Sequence, residues 1–314
     1  MGNSRFLFSL FLTTIGHVKA INNRPVIGIF DQPSTLGTPG ETYIAASYVK
    51  WLEHAGARAV RLPWNSTDIY ISGIVPQLSG VLFPGGAASV PQAARTVMKL
   101  ATSMNDAGTP FPVWGTCLGF EWLNIIISQD DKFLSEFNGT ENVSLALKFD
   151  EGAAMGSRMW SDKTVRDNAG KLPLAMNNHK EGVKPADFKS NQFLTEMFNV
   201  LTTNVDLAGS EFVSSMEAKN YPYFGVQWHP EKNNFEFGTF DGTDIPFETI
   251  NHSSDGVRLS QEMARVFVDS ARLVDGVGYN KLQFPLIFEE RGVEVISGEE
   301  FEQIYLFPNP NNRQ

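Results

Sequence analysis

The chain has almost no cysteine. Cys117 is the only one among 314 residues, so no internal disulfide can form and its thiol is free. Long apolar runs are also missing. The stretch Phe6-Leu7-Phe8-Ser9-Leu10-Phe11-Leu12-Thr13-Thr14-Ile15 is too short to span a bilayer, and no later stretch approaches that length, so membrane insertion is not expected. Positive charge is in deficit. The formal net charge is -10, and it becomes -12 without residues 1–20, which carry Arg5 and Lys19 and no acid. Such a chain does not draw nucleic acid or anionic lipid through its overall field, and an anionic substrate needs a local cluster of donors. Linker-like tracts, charge blocks and internal repeats are absent, so residues 21–314 read as a single domain. One cysteine and five scattered histidines offer no metal-ligand spacing. Neither a metal nor another cofactor is expected.

What the N-terminus does have is a compartment signal. Arg5, the short apolar core and Val18-Lys19-Ala20 read as a secretory signal peptide over 1–20; the alternative is a buried N-terminal strand. Four N-x-[ST] sequons, at Asn65, Asn138, Asn142 and Asn251, agree with secretion and mark glycosylation candidates. The expected destination is the extracellular space, a lysosome or a vacuole. Secreted chains carry paired cysteines or none, so one unpaired cysteine is either an inert buried thiol or a nucleophile.

The order of elements favours an α/β fold. Val26-Ile27-Gly28-Ile29-Phe30 reads as a buried strand. Ile44, Tyr48, Trp51, Leu52 and Ala55 recur at helical spacing, and Gly56 stops them. Strands follow at 58–62 and 80–83, a helix at 91–104, a strand through Val113-Trp114, and a helix over 118–127. Tyr223-Phe224-Gly225-Val226-Gln227-Trp228 is a further strand, and Leu259, Met263, Val266 and Phe267 mark a helix. This alternation predicts a predominantly parallel central sheet covered by helices on both faces. Residues 130–220 read as polar loops with few clean periods. The last forty residues, about 275–314, read as a strand pair or an extended arm.

Three predicted strand ends carry chemistry. Pro84-Gly85-Gly86 is either a tight turn or a source of backbone N–H groups for an oxyanion. Gly115-Thr116-Cys117-Leu118-Gly119 places Cys117 where a strand turns sharply into a helix. The helix terminus is expected to lower the thiol's pKa, with the Leu118 N–H as a second oxyanion donor, and Gly115 and Gly119 allow close approach of strand and helix. His229-Pro230-Glu231 supplies a base for the thiol and a carboxylate to orient it, or else a solvated loop histidine.

Together these motifs resemble the class I glutamine amidotransferase-like superfamily. Tyr43-Ile44-Ala45-Ala46-Ser47-Tyr48-Val49-Lys50, Phe83-Pro84-Gly85-Gly86, the run from Pro112 to Glu121 and that from Tyr223 to Lys232 resemble, within it, the γ-glutamyl hydrolase family, over roughly residues 24–235. The resemblance implies the flavodoxin-like architecture of that superfamily. It also implies hydrolysis of γ-glutamyl amide bonds in folyl-poly-γ-glutamates through a thioester, and a homodimer. By the same resemblance Cys117 is the nucleophile, His229 the base and Glu231 its partner. Gly85, Gly86 and Leu118 form the oxyanion hole. His179, Glu121 and Tyr43 are substrate-binding, with His179 expected as a cation facing a carboxylate. A secreted glutaminase-like amidase and a non-catalytic binding glycoprotein are the alternatives.

Overall fold

The computed structural model describes residues 21–34, 41–275, 282–297 and 301–308; the leader read at 1–20 lies outside them. Val26–Phe30 (β1) is buried at every position, as a strand covered on both faces requires. Arg58–Leu62 (β2), Gly80–Phe83 (β3), Val113–Thr116 (β4), Lys148–Phe149 (β5), Phe198–Val205 (β6), Glu211–Ala218 (β7) and Tyr223–Val226 (β8) join it in one eight-stranded sheet of order β2-β1-β3-β4-β8-β7-β6-β5. The pairings from β2 through β8 are parallel; those of β7, β6 and β5 are antiparallel.

Successive residues of the central strands serve opposite faces. Four helices matter here: Ala46–His54 (α1), Gln92–Asp106 (α2), Leu118–Ser128 (α3) and Ser254–Arg272 (α4). Ile27, Leu82, Trp114 and Phe224 pack with Trp51 of α1 and Phe267 of α4. Val26, Val81, Val113 and Tyr223 pack with Val97 of α2 and Phe120 of α3. The helix-covered, mostly parallel sheet expected from the sequence is therefore present.

Two elements differ from the sequence reading. Helix α1 begins at Ala46, because Thr42–Ala45 is a strand. It belongs to a second, antiparallel sheet with Gln32–Pro33, Ile304–Phe307 and Glu294–Ile296. Within the C-terminal segment, Glu294–Ile296 and Ile304–Phe307 thus form a strand pair, preceded by a 3-10 turn at Ile287–Glu289. Buried Asp31 ties the two sheets together, accepting from Thr42 Oγ1 at 2.6 Å, Arg61 Nε at 2.6 Å and the Trp64 N–H at 2.7 Å. The second difference lies in 130–220, which contains β5, β6 and β7.

Gly115 and Gly119 bring α3 against the sheet. A Cβ on Gly119 would lie 2.0 Å from the Phe83 carbonyl oxygen, and one on Gly115 would lie 2.5 Å from that of Gly119. Both obstacles are backbone, so neither can swing aside. Gly119→Ala is expected to lower stability by about 1–3 kcal/mol, as overpacking does. Thermal melts of the two proteins check this, and equal midpoints would contradict the close approach.

Candidate active site

Three neighbouring parallel strands end at one place, where ligands bind in such sheets. β3 runs into Pro84-Gly85-Gly86, β4 into Cys117, and β8 through Gln227-Trp228 into His229. Cys117 has φ +51° and ψ -109°, a strained conformation for a residue with a Cβ. Its N–H donates to the Val226 carbonyl at 2.9 Å, and its carbonyl accepts from the Glu121 N–H at 3.0 Å. The turn is thereby fixed to β8 and opens α3. The thiol donates to the Asn178 carbonyl at 3.8 Å.

His229 is held by its own N–H, which donates to the Met176 carbonyl at 2.8 Å. Its Nδ1 lies 2.7 Å from Oε1 of Glu231, and both side chains are buried. A carboxylate at Nδ1 keeps the proton there and leaves Nε2 as the basic nitrogen. A Cβ on Gly85 would fall 2.8 Å from His229 Cε1 and 3.5 Å from Cys117 Cβ. The imidazole and the cysteine therefore flank the same glycine.

The sequence matches the model of the family described as Peptidase C26 over residues 25–231. The chain belongs to the peptidase C26 family. It is 34% identical to Gamma-glutamyl hydrolase B of Dictyostelium discoideum over 321 residues, covering 98% of this chain and 90% of that protein. With Gamma-glutamyl hydrolase of Homo sapiens it shares 35% identity over 296 residues, 90% of each chain. The glutaminase domain of Trypanosoma brucei CTPS, solved with bound acivicin, aligns with a TM-score of 0.52 at 13% identity over 82% of this chain and 98% of that one. That likeness shows a shared class I glutamine amidotransferase-like fold.

Within this peptidase C26 site, three expectations need correction: the free Gly85 N–H, the lowered thiol pKa and the cationic His179. Tyr43 stands on the strand Thr42–Ala45, its ring 5.9 Å from that of Phe301. Tyr48, in the first turn of α1, meets the catalytic strand ends directly. Its hydroxyl accepts the Gly85 N–H at 2.7 Å and lies 3.4 Å from His229 Nδ1. Hence the Gly85 N–H is already engaged, and it is not a free oxyanion donor. Gly86, at φ +152°, borders the cleft with Leu118.

The thiol's pKa is raised rather than lowered. Burial is the main cause and the charge of Glu121 the next, with Lys232 and the Leu118 N–H pulling the other way. Cys117 therefore rests as a thiol, and the helix terminus is outweighed by desolvation. His179 lines the cleft but is not a cation. Burial lowers its pKa to about 4, and His229 adds to the effect. Its Nδ1 donates to the Glu181 carbonyl at 2.8 Å, so it offers a neutral ring.

The cleft has a volume of about 1100 Å³ and runs from Gly86 and Cys117 past Glu121, His179, Arg95, Lys132 and Lys180. Arg95 pairs with Asp131, and Lys180 with Glu141 at 3.5 Å. Glu121 accepts from Gln227 Nε2 at 2.9 Å. Burial raises its pKa to about 7, which the Gln227 bond opposes. Between its ordinary value and about 7 the folded chain holds a proton that the unfolded chain releases. Its contribution to stability therefore declines as pH rises through that window. Glu121→Gln is expected to gain on the wild type in melting temperature between pH 5 and pH 8, and to speed alkylation of Cys117 at pH 8. A difference in melting temperature that is the same at both pH values would contradict the buried acid.

Among the sequons, Asn65, Asn138 and Asn142 are exposed. Asn251 is half-buried, and its amide nitrogen donates to the Pro173 carbonyl at 3.0 Å.

Proposed function

We propose that this chain hydrolyses γ-glutamyl amide bonds, with folyl-poly-γ-glutamates as its substrate class. The observation that carries the reading is Cys117 on its strained turn, beside a buried His229–Glu231 pair at 2.7 Å. The relatives' names supply the bond to be cut. As the Cys117 sulfur attacks the γ-carbonyl carbon, His229 Nε2 takes the thiol proton. The N–H groups of Gly86 and Leu118 receive the oxyanion. The tetrahedral intermediate collapses to a thioester as His229 gives its proton to the departing amine. Water then attacks with His229 again as base, which releases the γ-carboxylate and restores the thiol. Tyr48 keeps the imidazole and the Gly85 backbone in register, and the neutral His179 borders the bound chain.

Secretion, with arrival in the extracellular space, a lysosome or a vacuole, belongs to the same reading. It rests on the leader-like 1–20 and the exposed sequons. Burial raises the pKa of both Glu121 and Glu236 to about 7, which favours the folded chain at acidic pH and supports an acidic compartment. A homodimer follows from the family resemblance alone, and sedimentation tests it.

The deciding experiment is mass spectrometry of the products from a defined pteroyl-polyglutamate, with free glutamine in parallel. Glutamate or short polyglutamates released from the former are expected. Ammonia from free glutamine, with the polyglutamate intact, would favour the glutaminase-like alternative.

A further inference from the structure

The family match ends at residue 231, yet the site does not. Lys232, the next residue, is buried, and its ammonium meets Glu248 Oε1 at 2.6 Å and Oε2 at 2.5 Å. Glu248 is also buried. The same Oε1 accepts from Asn178 Nδ2 at 2.6 Å. The carbonyl of Asn178 is in turn the group that meets the Cys117 thiol.

The segment bearing Glu248 is anchored. The N–H of its neighbour Thr249 donates to Asn142 Oδ1 at 2.5 Å, and the Thr249 carbonyl accepts from Ser144 Oγ at 3.0 Å. The strand Val143–Leu145 pairs with Ala175–Asn177, which leads directly into Asn178. The Phe301 ring, 5.4 Å from Lys232 Nζ, covers the ammonium. On its other side the Asn178-His179 turn is held at His179, whose N–H donates to the Thr140 carbonyl at 3.2 Å and whose carbonyl accepts from Thr140 Oγ1 at 2.6 Å.

We propose that Glu248 is a positioning residue of the active site, holding Asn178 against the Cys117 thiol while serving as the buried counter-ion of Lys232. This rests on the cysteine-hydrolase reading above. One carboxylate performs both tasks, so the geometry of the turn and the charge beside the nucleophile are set together. Around the thiol, Glu121 and Glu231 oppose its ionisation and Lys232 favours it, and the imidazoles of His229 and His179 lie close by. Loss of Glu248 leaves Lys232 with Glu236 as a remaining buried acid and releases the Asn178 side of the turn, which Thr140 then holds only at His179.

The test compares Glu248→Ala, Asn178→Ala and the double variant with wild type. Asn178→Ala removes the amide link but keeps the ion pair and the backbone carbonyl, so it stays informative should Glu248→Ala fail to fold. Each single change is expected to lower kcat on a γ-glutamyl peptide about tenfold and to leave KM within about twofold, with the melting point of Asn178→Ala near that of wild type. Both changes cut one link, so the double variant should be little worse than Glu248→Ala. The pH midpoint of Cys117 alkylation by iodoacetamide should fall in Glu248→Ala and hold in Asn178→Ala. Wild-type kcat in folded Asn178→Ala, or losses that multiply in the double variant, would overturn the proposal. If the wild-type chain cleaves no γ-glutamyl bond, the function reading fails. Alkylation, which needs no substrate, still decides the role of Glu248: equal midpoints in wild type and Glu248→Ala overturn it.

Discussion

Cys117→Ser is expected to lower kcat/KM more than about a thousandfold, because members of a nucleophile–base unit fail together. The change barely alters volume, and the strained φ of +51° is no harder for serine than for cysteine. Folding should therefore survive, with a melting point close to that of wild type. Nucleophilicity should not survive. The site already raises the pKa of the thiol through burial and Glu121, so His229 must take the proton as attack proceeds. A serine hydroxyl ionises far less readily than a thiol, and the same desolvation acts against its alkoxide. Single-turnover and steady-state rates on a γ-glutamyl peptide measure the effect. A variant within about tenfold of wild type, roughly 1.4 kcal/mol in barrier, would remove Cys117 from the nucleophile role.

The sequence exposed the parts of this site that depend on short-range patterns. Val26–Phe30 is an apolar run ended by Asp31-Gln32-Pro33, and Gly80–Phe83 one ended by Pro84, and both became the strands expected. Cys117 follows its strand directly and His229 comes three residues after Val226, so their place at the carboxyl ends came with the strands. The antiparallel half of the sheet was hidden because its strands bury polar residues. Thr202 Oγ1 meets Ser215 Oγ at 2.6 Å, and Ser214 Oγ donates to Asn204 Oδ1 at 2.6 Å. Such pairs satisfy buried hydroxyls and amides inside the core, but they erase the apolar alternation that marks a strand. Tyr48 was missed for a different reason. It lies in the same block as Tyr43, and the helical period was carried back over Ile44 into what is a strand. Asp150 and Glu248 show the remaining limit. Asp150 caps a helix from beside it in the chain, its side chain accepting the Ala153 N–H, and such a cap is legible locally. Glu248 acts on Asn178 across seventy positions, and no local pattern announces a contact at that separation.

His229→Asn is expected to be nearly as damaging as the cysteine change, with kcat reduced by about a hundredfold to ten-thousandfold, the range that general acid–base catalysis supplies. Asparagine can fill part of the space and donate to Glu231, but it cannot carry a proton from the thiol to the leaving amine. Glu231→Gln should be milder. Its amide oxygen can still accept from Nδ1 and preserve the tautomer, and the Tyr48 hydroxyl, 3.4 Å from that nitrogen, continues to restrain the ring. What it loses is the negative charge that stabilises the imidazolium formed during attack. That charge sits on a fully buried carboxylate whose Oε2 has no hydrogen-bond partner among the described residues. Because the carboxylate acts only through the imidazole, His229→Asn combined with Glu231→Gln should be hardly slower than His229→Asn alone. Steady-state kinetics on the two single variants and the double decide this. Losses that multiply would mean that Glu231 reaches the reaction by a route other than His229, and the assignment of the pair as base and orienter would fail.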